Sequence, residues 1–336
     1  AWFLAMFAVV LVVSVGLIGW RGDKIRSPGV IDSPLSREAA FLANNVLFAI
    51  FAFVVLLGTV FPLIIEALQD RQIAVGAPFF DKLSMPIGLA LLTLMAIAPV
   101  LPWRKASTET LRDRLFWPAW CGVAALVASL LLGSYGVAPL LTFTLGGVAS
   151  GAALRQVVLA TRRQGLRGLV GRANGGMIVH LGVILIAVSL GASNSFSKSQ
   201  ELSLVTNVEA QFSGHTFELR DVVEVRDDRS ISVKALVLVD GKKIYAPAIT
   251  KYTRIGMNVG TPSVRTSLTT DIYLTLEPPV RQDSNEARIK VFIKPMIMWL
   301  WIGTALMAIG TVLAAFPGRR RKPTEPTSAP VEVAKS

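Results

Sequence analysis

Seven separate stretches of this chain are apolar over lengths that few soluble folds need: residues 2–20, 39–68, 85–103, 115–133, 138–160, 177–192 and 295–316. A bilayer's hydrocarbon core is about 30 Å thick and takes roughly 20 apolar residues as helix, because each backbone N–H and C=O must be paired within the segment. The pattern predicts a mainly α membrane protein of about seven transmembrane helices. The rest of the composition agrees, with 52% of the 336 residues hydrophobic and only 17% charged.

The net charge of +12 sits in alternate loops, which makes it topology information and speaks against nucleic acid as a partner. One side collects Arg21, Lys24, Arg26 and Arg37, then Arg104, Lys105, Arg112 and Arg114, then Arg162, Arg163, Arg167 and Arg172, and last Arg319, Arg320, Arg321 and Lys322. The loops between these groups carry Arg71 and Lys82 in one case and no basic residue at 135–137 in the other. The positive-inside rule puts the basic side in the cytoplasm and residues 194–293 outside. Trp299 and Trp301, next to Lys294-Pro295, mark the outer interface. The same assignment starts Ala1 on the outer face with no initiator Met, basic n-region or cleavage site before it. The expectation is a chain without a signal peptide that continues upstream into further membrane helices.

Between residues 202 and 292 the pattern becomes short and alternating, at 202–206, 215–225, 230–239, 243–251, 272–276 and 288–292. Period-two alternation with Asp240-Gly241 as a hairpin signal predicts a β-rich sandwich or barrel. The expected organisation is a transmembrane region of six spans at 1–193, a periplasmic β domain at 194–293, a final span at 294–316 and a disordered basic cytoplasmic tail at 317–336.

The inventory of reactive groups is short. Cys121 is the single cysteine, so the chain has no Cys-x-x-Cys pair and performs no dithiol chemistry itself. No phosphate loop, metal-binding Cys cluster or Ser-His-Asp set is visible. Of the two histidines, His180 lies inside an apolar span, where an ionisable group is costly unless it is paired, ligated or facing a cavity. It can be a neutral imidazole bonded to a neighbouring helix, or an axial ligand of heme iron with Gly176, one turn earlier on the same face, leaving room for a flat macrocycle. His215, after Gly214 at a strand start, reads as an ordinary surface or turn histidine. Asn44 and Asn45 are expected to hold helices together by amide hydrogen bonds, Pro62 to kink its span, and Gly147-x-x-x-Gly151 to be a helix-packing face.

Several strings, in order along nearly the whole chain, resemble one family. They are Ser36-Arg37-Glu38 through Asn44-Asn45, Leu56-Leu57-Gly58-Thr59 with Pro62, Val75-Gly76-Ala77-Pro78-Phe79-Phe80, Gly176-Met177-Ile178-Val179-His180-Leu181-Gly182, Thr270-Asp271-Ile272-Tyr273, and Lys294-Pro295 through Trp301. The chain resembles the C-terminal half of the cytochrome c-type biogenesis heme lyases of the CcmF/NrfE family. The resemblance implies a multi-pass protein of the bacterial inner membrane that takes heme from a heme chaperone and joins it to the Cys-x-x-Cys-His motif of apocytochrome c, whose cysteines a thiol-reducing partner keeps free.

The resemblance further implies a heme b held between two membrane histidines, of which His180 matches the second, its iron-ligating role included. The family's Trp-rich heme-handling segment, its two periplasmic histidines and its first membrane histidine lie upstream of these residues. By this reading the chain is no lyase alone and needs the N-terminal half, as the same polypeptide or a separate subunit. A non-catalytic scaffold that binds partner proteins without heme is the alternative from another class, and a transporter half, which would place its site in broken helices, is a third.

Overall fold

The structure, a computed structural model, describes residues 2–25, 33–102, 108–253, 256, 258–278 and 285–316, with the side chains of Ile25, Ala77, Thr108, Arg172 and Ala173 left aside. Of the residues read above as topology signals, Arg26, Arg104, Lys105 and Arg319 to Lys322 lie outside the described residues, as does the side chain of Arg172 and the whole tail from 317.

Among the described residues there are seven α-helices: α1 Trp2–Ile25, α2 Arg37–Gln69, α3 Ala77–Ile97, α4 Thr108–Leu131, α5 Val137–Gln164, α6 Arg172–Phe196 and α7 Ile297–Ala315. All seven are long and apolar enough to cross a membrane. The ends have local causes. Ser36 caps α2, its hydroxyl accepting from the Ala39 N–H at 3.1 Å, and the helix stops at Asp70, which adopts the left-handed conformation and donates its N–H to Glu66 O. Helix α3 begins and ends earlier than the hydropathy run at 85–103. Pro78 stands in its first turn, where proline's missing N–H costs nothing, so the helix admits Asp81 and Lys82, while residues 98–102 close it in tight turns.

The chain divides into two units: the first holds residues up to 129, Leu140–His180 and the chain from Val312; the second holds Leu130–Pro139 and Leu181–Thr311. In the first, glycines set helix approach. A Cβ on Gly147 would lie 2.7 Å from Ala125 Cβ and from Cys121 O, and one on Gly151 2.8 Å from Pro118 Cα. The Gly147-x-x-x-Gly151 face therefore seats α5 on α4, as small residues do in membranes. Gly58 of α2 meets the rings of Phe79 and Phe80 of α3 in the same way. Helix α2 runs unbroken through Pro62.

Among its described residues the second unit contains ten strands: β1 Lys198–Val205, β2 Glu209–Phe212, β3 His215–Asp227, β4 Ser230–Val239, β5 Lys243–Tyr245, β6 Ala248–Tyr252, β7 Asn258–Thr261, β8 Ser263–Thr266, β9 Thr270–Glu277 and β10 Glu286–Pro295. They form two antiparallel sheets, ordered β1-β10-β9-β8 and β2-β3-β4-β6-β7, with β5 also on β4. Phe217, Leu219, Ala235 and Val237 from one sheet and Leu274, Ile289 and Val291 from the other are fully buried in a single core. Asp240 and Gly241 take φ of 52° and 62° and Lys242 N–H returns to Val239 O, the two-residue turn the dipeptide announces.

Two expectations need amending. The run 243–251 is two strands, β5 and β6, because Pro247 between them cannot donate to the ladder and its own carbonyl instead accepts from Ala235 N–H. Strands β2, β7 and β8, four residues each, lie outside the predicted runs; β2 turns Ala210 and Phe212 to the core, whereas β7 is exposed throughout.

Candidate functional site

Helix α6 has two faces that differ in what meets them. Gly175 and Gly182, seven residues apart, lie against α7: a Cβ on Gly175 would collide with Ala314, and one on Gly182 with Gly303 O at 2.6 Å. The Gly171 N–H adds a bond to Leu313 O at 3.0 Å. His180 and Gly176 point well round the helix from that seam. Among the described residues a Cβ on Gly176 would meet nothing within 4 Å.

His180 stands about 12 Å along the helix from its first residue and is half-buried. Its Nδ1 is buried and has no hydrogen-bond partner among the described residues. A cavity of about 310 Å³ adjoins it, lined by Arg37, Phe41, Ala98, Pro99, Gln156, Asn174, Met177 and His180. Each polar wall is positioned locally. Arg37 opens α2, donates its backbone N–H to Pro102 O at 3.1 Å and its Nη2 to Pro99 O at 2.9 Å. Arg114 Nη1 reaches Val100 O on the same turn at 3.2 Å. Asn174 Nδ2 donates to Gly168 O.

The donor set tells what metal chemistry the cavity suits. Among the described residues no three His, Cys, Asp or Glu groups gather to hold an ion, so a bare cation would be left under-coordinated. A macrocycle that brings four nitrogens of its own needs only an axial imidazole, an apolar wall and space. His180, with Phe41, Ala98, Pro99 and Met177, fits that requirement.

The second histidine is in a different state. His215 Nδ1 bonds Asp240 Oδ2 at 2.8 Å, and Asp240 Oδ1 accepts from the Thr216 N–H at 3.0 Å. Partial burial would raise the Asp240 carboxyl; the bonds from His215 and Thr216 and the positive charges of His215 and Lys242 hold it below its ordinary value. This pair ties the start of β3 to the end of β4 and lies on the surface. Asn44 is half-buried and Asn45 exposed; neither makes a hydrogen bond among the described residues, so the expected amide ties between helices are not seen. The cavity residues Arg37, Gln156 and Asn174 were not singled out as site residues by sequence. Asn174, six residues before His180 in a helix start, was the best available signal.

A chain with, among its described residues, seven helices long and apolar enough to cross a membrane, together with a two-sheet antiparallel domain, defines a multi-pass membrane protein. No protein-family model matches the chain. Among known proteins it is 30% identical to the cytochrome c-type biogenesis protein CcmF of Pseudomonas fluorescens, over 85% of this chain and 44% of that protein. It is 28% identical to CcmF of Escherichia coli, over 96% and 50%, and 23% identical to the probable cytochrome c-type biogenesis protein NrfE of Escherichia coli, over 94% and 46%. The solved structure of a cytochrome c heme lyase CcmF superposes with a TM-score of 0.69 and 26% identity, over 85% of this chain and 46% of that one. Homologues named CcmF, NrfE and CycK, all cytochrome c-type biogenesis proteins, cover about 90% of the chain. It spans about half the length of the curated relatives it matches, consistent with a C-terminal half.

Proposed function

We propose that this chain serves cytochrome c maturation as the C-terminal part of a heme lyase of the bacterial inner membrane. Its own contribution is one wall of a membrane heme b site, with His180 as an axial ligand. The observation that carries this reading is the buried Nδ1 of His180, unpartnered among the described residues beside the 310 Å³ cavity. A buried polar nitrogen without a partner costs about 1–3 kcal/mol, and iron bound at that same nitrogen would offset it.

The remaining roles follow from the residues. Phe41, Ala98, Pro99 and Met177 keep water from the imidazole, and the open face at Gly176 admits a flat ring. Bound there, heme b would supply a one-electron redox centre. The basic-loop asymmetry supports a cytoplasmic C-terminus and a periplasmic β domain that serves as a docking surface near the periplasmic active site. Thioether formation between heme vinyl groups and cysteine thiols is then the work of the assembled protein, with the N-terminal half, the heme chaperone and the thiol-reducing partner.

The test is to co-express the chain with the N-terminal half and compare absorption spectra of the wild type and His180→Ala. Loss of the heme b bands with the complex still assembled supports the reading. An unchanged heme b spectrum removes the ligand and favours a scaffold without heme.

A further inference from the structure

The cavity beside His180 has a second chemical feature that an axial ligand does not explain. Arg37 lines it at the first residue of a 33-residue helix, in a segment apolar enough to cross a membrane. At this basic end of the span, a guanidinium turned toward a cavity gives up hydration and is retained where polar groups meet it. Its position is held: the backbone N–H is tied to Pro102 O and Nη2 to Pro99 O, so the group cannot swing freely to water. Two amides, Gln156 and Asn174, line the same space. The α2 N-terminus adds the positive end of the helix dipole. An imidazole that suits iron and a guanidinium whose fork matches a carboxylate thus share one cavity, and a porphyrin carries both complements, iron at its centre and carboxylates at its edge.

We propose that Arg37 anchors a carboxylate of the porphyrin that His180 holds by its iron. The inference rests on the heme reading above and extends it: His180 binds the metal, and Arg37 fixes the rotation of the ring about the iron–imidazole axis. Arg37 is a positioning residue, and its effect reads out in affinity and orientation.

Hemin and hemin dimethyl ester separate the two claims, because they share ring and iron and differ only in the charged carboxylates. The chain, co-expressed with the N-terminal half in heme-deficient cells and purified in detergent, is titrated with each while the Soret band is followed. The wild type is expected to bind hemin at least about tenfold more tightly than the ester, the range of a charge-assisted hydrogen bond. Arg37→Gln should bring hemin down to the affinity of the ester and leave the ester unchanged, and Arg37→Lys should recover part of the difference. Equal affinity of the wild type for both porphyrins, with a Soret shift that His180→Ala abolishes, overturns the Arg37 anchor and leaves the ligand reading standing. A titration that His180→Ala does not alter overturns both. The wild-type comparison decides even where the Arg37 variants fail to fold.

Discussion

The β domain and the membrane helices use the same apolar residues to opposite ends. In the β domain Phe217, Leu219, Leu274 and Ile289 are completely covered by their own neighbours, as burial in water requires. In α1 Val10 and Val12 are 56% and 67% exposed, and none of that helix's apolar window is buried, against 33% in α6. A valine facing outward is costly in water and free in lipid or against another helix. The two histidines repeat the contrast: His215, in the domain that faces water, is satisfied by Asp240, whereas His180 keeps a buried nitrogen without a partner among the described residues.

The sharpest way to break this comparison is truncation. Phe217→Ala should destabilise the β domain by about 3–5 kcal/mol, while Val12→Ala in α1 should change stability by about 0.5 kcal/mol or less. Urea-dependent proteolysis of the detergent-solubilised chain, read as fragments from each region, measures both; comparable losses would mean that α1 is buried within its own unit.

A finer division runs around α6. Gly182→Val pushes a branched side chain against Gly303 O and Met307 and should cost about 1–3 kcal/mol. Gly176→Ala meets nothing within 4 Å among the described residues and should leave thermal unfolding of the chain unchanged while weakening heme retention in the assembled protein. Equal effects on unfolding would erase the distinction between the packed and the open face.

The smallest effect is electrostatic. Asp240 has a carboxyl held below its ordinary value of 3.8, so its contribution is present above that value and fades as the pH falls through the lower, folded one. Because its side chain is 41% exposed, solvent screening limits the contribution to about 0.5 kcal/mol or less. Asp240→Asn, which keeps the left-handed turn accessible, should flatten the acid limb of β-domain stability by that amount in a urea series between pH 5 and 3.

Much of this was legible before any coordinates, and for identifiable reasons. Each span is a local property of some twenty residues, and the Asp240-Gly241 turn is chemistry within two, so both could be read directly. Strands β2, β7 and β8 could not, because four residues are too few to establish a period, and Pro247 breaks an otherwise regular run. At the site, His180 stood out by the cost of an imidazole in hydrocarbon. Gln156 and Arg37 did not, since what gives them meaning is their meeting at one cavity from α5 and α2, a property of packing. Asn44 and Asn45 show the converse: a polar pair in an apolar run is conspicuous, yet among the described residues neither side chain makes a hydrogen bond.

The central claim is that His180 binds iron, and exchanging the ligand tests it more directly than deleting it. In the assembled protein His180→Met replaces an imidazole by a thioether, and the account predicts a heme b whose low-spin ferric signals change and whose midpoint potential rises, as methionine ligation favours. A midpoint potential and ferric spectrum identical to wild type, with heme bound in full, would contradict it.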